Sequence, residues 1–254
     1  LDGLPMGTRC GQVDPGVLLY LMEQKGMTAR QISDLLYKQS GLLGLSGLSN
    51  DMRTLEAADT PEARQAIDYF VFRCQREVGA MAAALGGIDR VIVNAGVGKG
   101  APLGSGKLWA NKATIETNLV AALVQIETAL EMFKKSGSGH LVLISSVLGN
   151  KGVAGVKAAY AASKAGVSSL GESLRAEYAS GPIKVTVIEP GYIESEMTAK
   201  SESTMLMVDN ETGVRKMVDA IERETGRAIV PGWPWIPLVA MLKALPPRFT
   251  KPFA

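Results

Sequence analysis

Cysteine and histidine are almost missing from this sequence: 254 residues contain only Cys10, Cys74 and His140. Two cysteines cannot build a disulfide framework, and neither has metal-ligand spacing, so disulfide-stapled and metal-centred classes are set aside. His140, placed before a strand with no acid or nucleophile near it, reads as a surface histidine rather than half of a catalytic dyad. Charge of one sign is not in excess either. The 27 Lys and Arg against 25 Asp and Glu leave a net +2, which gives no footprint for nucleic acid. No apolar run reaches the roughly 18 residues of a membrane span, and no secretory pattern is legible. Free thiols then lead us to expect a reducing, cytoplasmic setting, with Cys74 buried on a helix face. The opening residue is Leu1, as expected of a processed chain or of one that starts inside a longer protein.

What is present divides into two styles. The length suffices for one α/β domain or two small ones, and residues 1–87 read as helices with almost no strand. Asp14-Pro15 is an N-cap followed by proline, then Val17, Leu18, Leu21 and Met22 at helical spacing, with Gly26 as a stop. Thr28 caps a second helix with Ile32, Leu35 and Leu36. SGLLGLSGLSND is glycine-spaced and suits a turn-rich connection. Thr60-Pro61-Glu62 opens a long helix whose stripe runs Ala63, Ala66, Ile67, Phe70, Val71, Cys74, Val78, Met81, Leu85, so one buried face is expected.

The phrases LDGLPMGTRCGQVDPGVLLYLM, SGLLGLSGLSNDMR and AAALGGID, in that order, resemble the acetate kinase family. The resemblance implies that Arg9 stands at a phosphoryl-transfer site, where a guanidinium can stabilise phosphate charge, and Asp51-Met52-Arg53 beside a nucleotide base. The kinase's N-terminal domain and its glycine-turn-Glu-Asn phrase are absent. The segment is therefore expected to serve packing rather than phosphotransfer.

From Ile88 onward strands and helices alternate. Arg90–Asn94, Leu141–Ser145, Val185–Glu189 and Arg227–Val230 read as buried strands, with helices near 112–135, 158–179 and 210–224. That repetition implies a parallel sheet with right-handed crossovers. Tyr160 and Lys164 stand four apart on one helix, so they share a face, and a nearby ammonium favours phenolate. Such a pair suits general acid/base work on an alcohol or carbonyl. Ser145 and Ser146, at a strand end, offer a hydroxyl to the same oxygen.

Asn94-Ala95-Gly96 after a strand, Asn118 in a helix, ISS, YAASK and EPGYIES together resemble the short-chain dehydrogenase/reductase family. The resemblance implies NAD or NADP as cofactor and a small carbonyl or alcohol substrate. It makes Tyr160 the acid/base, Lys164 its tuning group and a ribose contact, Ser146 the carbonyl-orienting hydroxyl, and Asn118 the anchor of a relay water. Asn94, Ala95 and Gly96 would border the cofactor, and Pro190, Gly191, Ile193 and Ser195 would line the nicotinamide carboxamide. Ser146 stands fourteen residues before Tyr160, one more than expected, which leaves Ser145 a rival. A homo-oligomer built on helices 112–135 and 158–179 is also implied. The tail IVPGWPWIPLVAMLKALPPRF reads as a pocket lid, a subunit contact or a membrane-surface patch, and its prolines argue against one continuous helix.

One departure is large. The family begins with a strand, a TGxxxGxG turn and a helix that receive the pyrophosphate, and none is here. Gly41-x-x-Gly44-x-x-Gly47, Gly96-Val-Gly98-Lys-Gly100 and Gly104-Ser-Gly106-Lys107 lack the context and read as turns. AAALGGIDRVIVNAGVGKG thus reads as a seam, since both families place an alanine-rich helix, a Gly-Gly turn and Ile/Leu-Asp before a buried strand. The expected fold is α/β: a partial Rossmann-like parallel sheet over 88–254, the catalytic half, with an acetate kinase-like helical segment over 1–87. Weak cofactor binding is expected, and a bare sheet edge beside Arg90–Asn94.

Overall fold

A computed structural model describes residues 3–195, 198 and 206–246. The chain forms two compact units, Leu1–Gly87 and Ile88–Ala254.

The first unit is helical. Asp14 accepts from the Gly16 amide at 2.6 Å and starts α1 (Pro15–Glu23). Thr28 and Gln31 form a capping box at the head of α2 (Ala29–Lys38), which buries Ile32 and Leu36. The glycine-spaced stretch is not merely a connection. Gly41–Ser46 folds as α3, buries Leu42 and stops at Gly47, whose φ of 63° is a left-handed cap. Asp51 then caps α4 (Met52–Ala58), and its carboxyl is held at about 2 by Arg53. Thr60 opens α5 (Pro61–Leu85), as the Thr-Pro-Glu phrase predicts.

Two expectations about burial fail here. Within α5, Ala63 and Ala66 are buried against Leu42 and Leu55, but Val71, Val78, Met81 and Leu85 are exposed. The unit's short helices α3 and α4 pack on the first turns of α5, so periodicity alone overstates the buried face. Cys74 is accordingly only half-buried.

The second unit is a parallel four-stranded sheet in the order β1 (Arg90–Val93), β2 (Gly139–Ile144), β3 (Ile183–Pro190), β4 (Arg227–Val230). Each crossover carries helix: α6 (Leu108–Ile115), a π turn at Glu116–Val120 and α7 (Ala121–Ser136), then α8 (Ala158–Glu177), then α9 (Asn210–Glu222). One sheet face packs Val93, Leu141, Leu143 and Val185 against Ile126, Leu130 and Phe133 of α7 and Val167 of α8. The other sets Val142, Ile188 and Val230 against Ile221 of α9. Gly139 has the Phe133 ring lying where a Cβ would sit. Among the described residues no strand pairs with the outer edge of β1, and Ile92 there is 49% exposed.

His140 corrects the sequence reading. It is buried: its Nδ1 accepts from Arg90 Nε at 3.1 Å and its Nε2 lies 2.8 Å from Thr186 Oγ1. Neighbouring parallel strands place all three on one face.

The proline-rich tail also becomes helix, α10 (Gly232–Ala244), despite Pro237. Trp233, with φ −94° and ψ 133°, interrupts it near its start. Trp235 and Val239 pack beside the short 3₁₀ turn Val147–Asn150, whereas Trp233, Ile236 and Met241 face solvent. No helix among the described residues is long and apolar enough to cross a membrane.

Candidate active site

Parallel strands end on one side of their sheet, and ligands of open α/β sheets bind outside those ends. Here β1 delivers Asn94-Ala95-Gly96, β2 delivers Ser145-Ser146, and β3 delivers Pro190-Gly191. Across them runs α8 with Tyr160 and Lys164 on one face. Lys164 is almost fully buried, and its Nζ donates to the Ile144 carbonyl at 2.8 Å. The same Nζ lies 5.9 Å from the centre of the Tyr160 ring.

Asn118 sits inside the π turn, an irregularity common at functional positions. Its Oδ1 accepts from the Val97 amide at 2.7 Å, while its Nδ2 donates to the Val97 carbonyl at 2.9 Å and to Ser163 Oγ at 3.1 Å. Ser163 in turn donates to the Tyr160 carbonyl at 2.7 Å. A Cβ on Gly96 would stand 3.4 Å from both Asn118 Oδ1 and Lys164 Nζ. The turn after β1 is thus clamped by Asn118 directly beside the lysine.

The two serines separate. Ser145 Oγ donates to the Lys164 carbonyl at 2.8 Å and lies 2.7 Å from Ser168 Oγ, so it binds α8 to β2. Ser146 caps the turn Val147–Asn150, accepting from the Leu148 amide at 3.2 Å, and its hydroxyl is the one beside the Tyr160 phenol.

Burial dominates the electrostatics. It pushes the Tyr160 phenol above its ordinary value, against the Ser146 hydroxyl that pulls it down and with Tyr192 adding to the rise. The phenolate-favouring effect expected from Lys164 does not prevail. Desolvation also brings Lys164 down from 10.5 to about 8. Near neutral pH the pair is therefore a neutral phenol beside an ammonium.

Gly191 rests on the Trp235 indole, which would collide with any Cβ there, and its amide donates to the Val230 carbonyl at 2.8 Å. Ile193 packs on Gly213. Asn94 and Ala95 are exposed at the strand end. Ser195 is exposed and receives its contacts from Thr198, whose Oγ1 accepts from the Ser195 amide at 2.8 Å. Lys157 lies over the Tyr192 ring, 5.8 Å from its centre. Sequence reasoning missed Glu189, Asn150 and Arg227, which form an ion-paired network behind the site. A carboxylate inside the apolar strand Val185–Glu189 was the available signal, since such a group needs partners when buried.

These residues fit the nicotinamide-ribose end of a dinucleotide: a glycine turn, two backbone-lined strand ends, and a buried ammonium with one of its three donors on Ile144. They do not supply the diphosphate end. Among the described residues no strand precedes β1, and the first unit offers no strand–glycine-turn–helix. No cluster of three metal-ligating side chains occurs among the described residues.

The short chain dehydrogenase family model matches residues 71–206. The chain belongs to that family. The acetokinase family model matches residues 1–111. An uncharacterized oxidoreductase of Mycobacterium tuberculosis is 81% identical over 170 residues, 67% of each chain. An acetate kinase of Methylocella silvestris is 68% identical over 99 residues, which is 39% of this chain and 24% of that protein. The chain thus spans two thirds of the oxidoreductase it matches and a quarter of the kinase. A short chain dehydrogenase from Burkholderia cenocepacia, solved in complex with NADP, shares the fold with a TM-score of 0.53 at 24% identity, covering 67% of this chain and 75% of its own. Another from Salmonella enterica serovar Typhi gives 0.51 at 26% identity, over 61% and 66%. The two family matches overlap between residues 71 and 111, across the Gly-Gly turn at which the units divide.

Proposed function

We propose that this short-chain dehydrogenase family member interconverts a small carbonyl and its alcohol, with Tyr160 as acid/base. The carrying observation is that Tyr160, Lys164, Ser146 and the Asn118-clamped Gly96 turn meet at the ends of β1 and β2. The buried phenol holds its proton at neutral pH and donates it to a carbonyl oxygen, while the Ser146 hydroxyl fixes that oxygen. Lys164 keeps positive charge below the phenol and offers donors to a ribose diol. Asn118 keeps the turn in place, and Pro190, Gly191 and Ile193 give the opposite wall, with Ser195 and Asn94 at its margins. NAD or NADP supplies the hydride chemistry when bound.

The chain is read as a join of acetate kinase-like and dehydrogenase-like pieces, with Arg9 and the Asp51–Arg53 pair on the kinase-like one. Cofactor binding is impaired on this reading, because the diphosphate turn is missing and binding energy not realised cannot lower the barrier. A cytoplasmic homo-oligomer is part of the same proposal. Titration with NADH and NADPH, followed by cofactor fluorescence, tests it. The expected outcome is a Kd above about 100 μM and slow turnover that Tyr160→Phe abolishes. Tight binding would refute the impairment. Absence of turnover on a panel of ketones and alcohols at saturating cofactor would instead favour a non-catalytic scaffold.

A further inference from the structure

Behind the site, one fully buried carboxylate on β3 ties together the turn after β2, α8 and β4. Glu189, at the end of β3, is 1% exposed. Its Oε1 accepts from Arg227 Nε at 3.1 Å and from Ser168 Oγ at 3.2 Å; its Oε2 accepts from the Arg227 guanidinium at 2.9 Å and from Asn150 Nδ2 at 2.8 Å. Arg227 closes the ring by donating to Asn150 Oδ1 at 2.7 Å. Two of these partners lead to the site. Asn150 ends the 3₁₀ turn that Ser146 caps. Ser168 lies one helical turn after Lys164 and 2.7 Å from Ser145 Oγ. Glu189 itself precedes Pro190-Gly191.

The 3₁₀ turn also lies on α8 without a gap. A Cβ at Gly149 would stand 2.9 Å from the Lys164 carbonyl carbon. Nothing in that backbone contact fixes its register, whereas an acceptor-only carboxylate does. It takes the Ser168 proton and it holds the Asn150 amide.

We infer that Glu189 is a positioning residue whose carboxylate locks the Ser146 turn onto the Tyr160–Lys164 helix. This rests on the oxidoreductase reading for its functional meaning, since it assigns what keeps that site assembled.

The test uses the full chain with Glu189→Gln, which keeps the shape and removes the charge. Hydrogen–deuterium exchange of Leu148–Asn150 is expected to quicken about tenfold or more while β2 exchanges as before. Tyr160 ionisation, isolated as an ultraviolet difference against Tyr160→Phe in the same background, is expected to move to higher pH as Ser146 leaves the phenol. Asn150→Asp added to Glu189→Gln returns a carboxylate to Arg227 and is expected to restore both readouts. Should Glu189→Gln not fold, Ser168→Ala, which spares the ion pair, is measured the same way. If the variant only lowers Tm, with local exchange and Tyr160 ionisation unchanged, the residue is merely structural and the inference is overturned. Neither readout needs turnover, so an inactive wild type would refute the oxidoreductase reading and leave this one to be decided by itself.

Discussion

Ser145 and Ser146 are adjacent, yet their hydroxyls serve opposite sides of the same strand end. The Ser145 Oγ is spent on the Lys164 carbonyl and Ser168, whereas the Ser146 hydroxyl stands at the Tyr160 phenol. Extended backbone alternates its side chains, so a one-residue shift separates a structural hydroxyl from one available to substrate.

The two serines should therefore fail differently. Ser145→Ala is expected to lower unfolding stability by about 1 kcal/mol, read from urea denaturation, with the Tyr160 ionisation little changed. Ser146→Ala is expected to leave stability nearly intact and to reduce kcat about 10²–10³-fold.

Gly171 is fixed by close approach of α8 to the sheet. A Cβ there would lie 2.3 Å from Val187 Cγ2 and 3.2 Å from Leu143 Cδ1. Gly171→Ala is expected to cost about 1–3 kcal/mol through overpacking. Gly98, with open space around it, is the control: Gly98→Ala should change the denaturation midpoint little.

His140 gives the fold a pH dependence. Burial first, and the neighbouring Arg90 second, hold its pKa below 6.5, with Asp89 and Glu224 opposing. The unfolded chain therefore binds the extra proton as pH falls through about 6.5, so this contribution to stability is complete above that value and is lost below it. Denaturation midpoints from pH 7.5 down to 5 should decline, and His140→Asn should flatten the slope over that window.

Arg73 is buried with its Nε unpartnered. Its guanidinium meets Tyr69 Oη at 2.9 Å and the neutral Gln12 Oε1 at 3.3 Å, with Glu77 only at 4.0 Å. Arg76 converges on the same Gln12 oxygen. Arg76 also pairs with Glu77 at 2.8 Å, so the buried Arg73 is the cation left on an exposed, uncharged acceptor. Gln12→Glu is expected to stabilise the helical unit by up to about 1 kcal/mol, seen as a higher Tm; an unchanged or lower Tm would refute the pairing.

Much of this architecture is legible in the sequence. Asp14-Pro15, Thr28 and Thr60-Pro61 are local caps, so α1, α2 and α5 begin where the sequence places them. The four strands are legible because runs such as Leu141–Leu143 are apolar on both faces, and Tyr160 and Lys164 because helical spacing alone sets them side by side. The same logic fails where the answer lies in a neighbour. The stripe beyond Phe70 repeats like a core, yet Val71, Val78, Met81 and Leu85 are exposed, and Gly41–Ser46 carries two glycines and a serine but gains Leu42's burial beside Ala63 and Ala66 of α5.

Sequence by itself determined the helix starts, the parallel sheet and the shared helix face of the candidate acid/base pair, because caps, periodicity and four-residue spacing act within one turn or one strand. Only the tertiary structure decided that Ser146 rather than Ser145 reaches the phenol, that His140 is buried, and that Glu189 joins Asn150, Ser168 and Arg227. Those outcomes depend on which groups meet across strands and helices distant in sequence, and on how much water burial removes. Local pattern carries neither quantity.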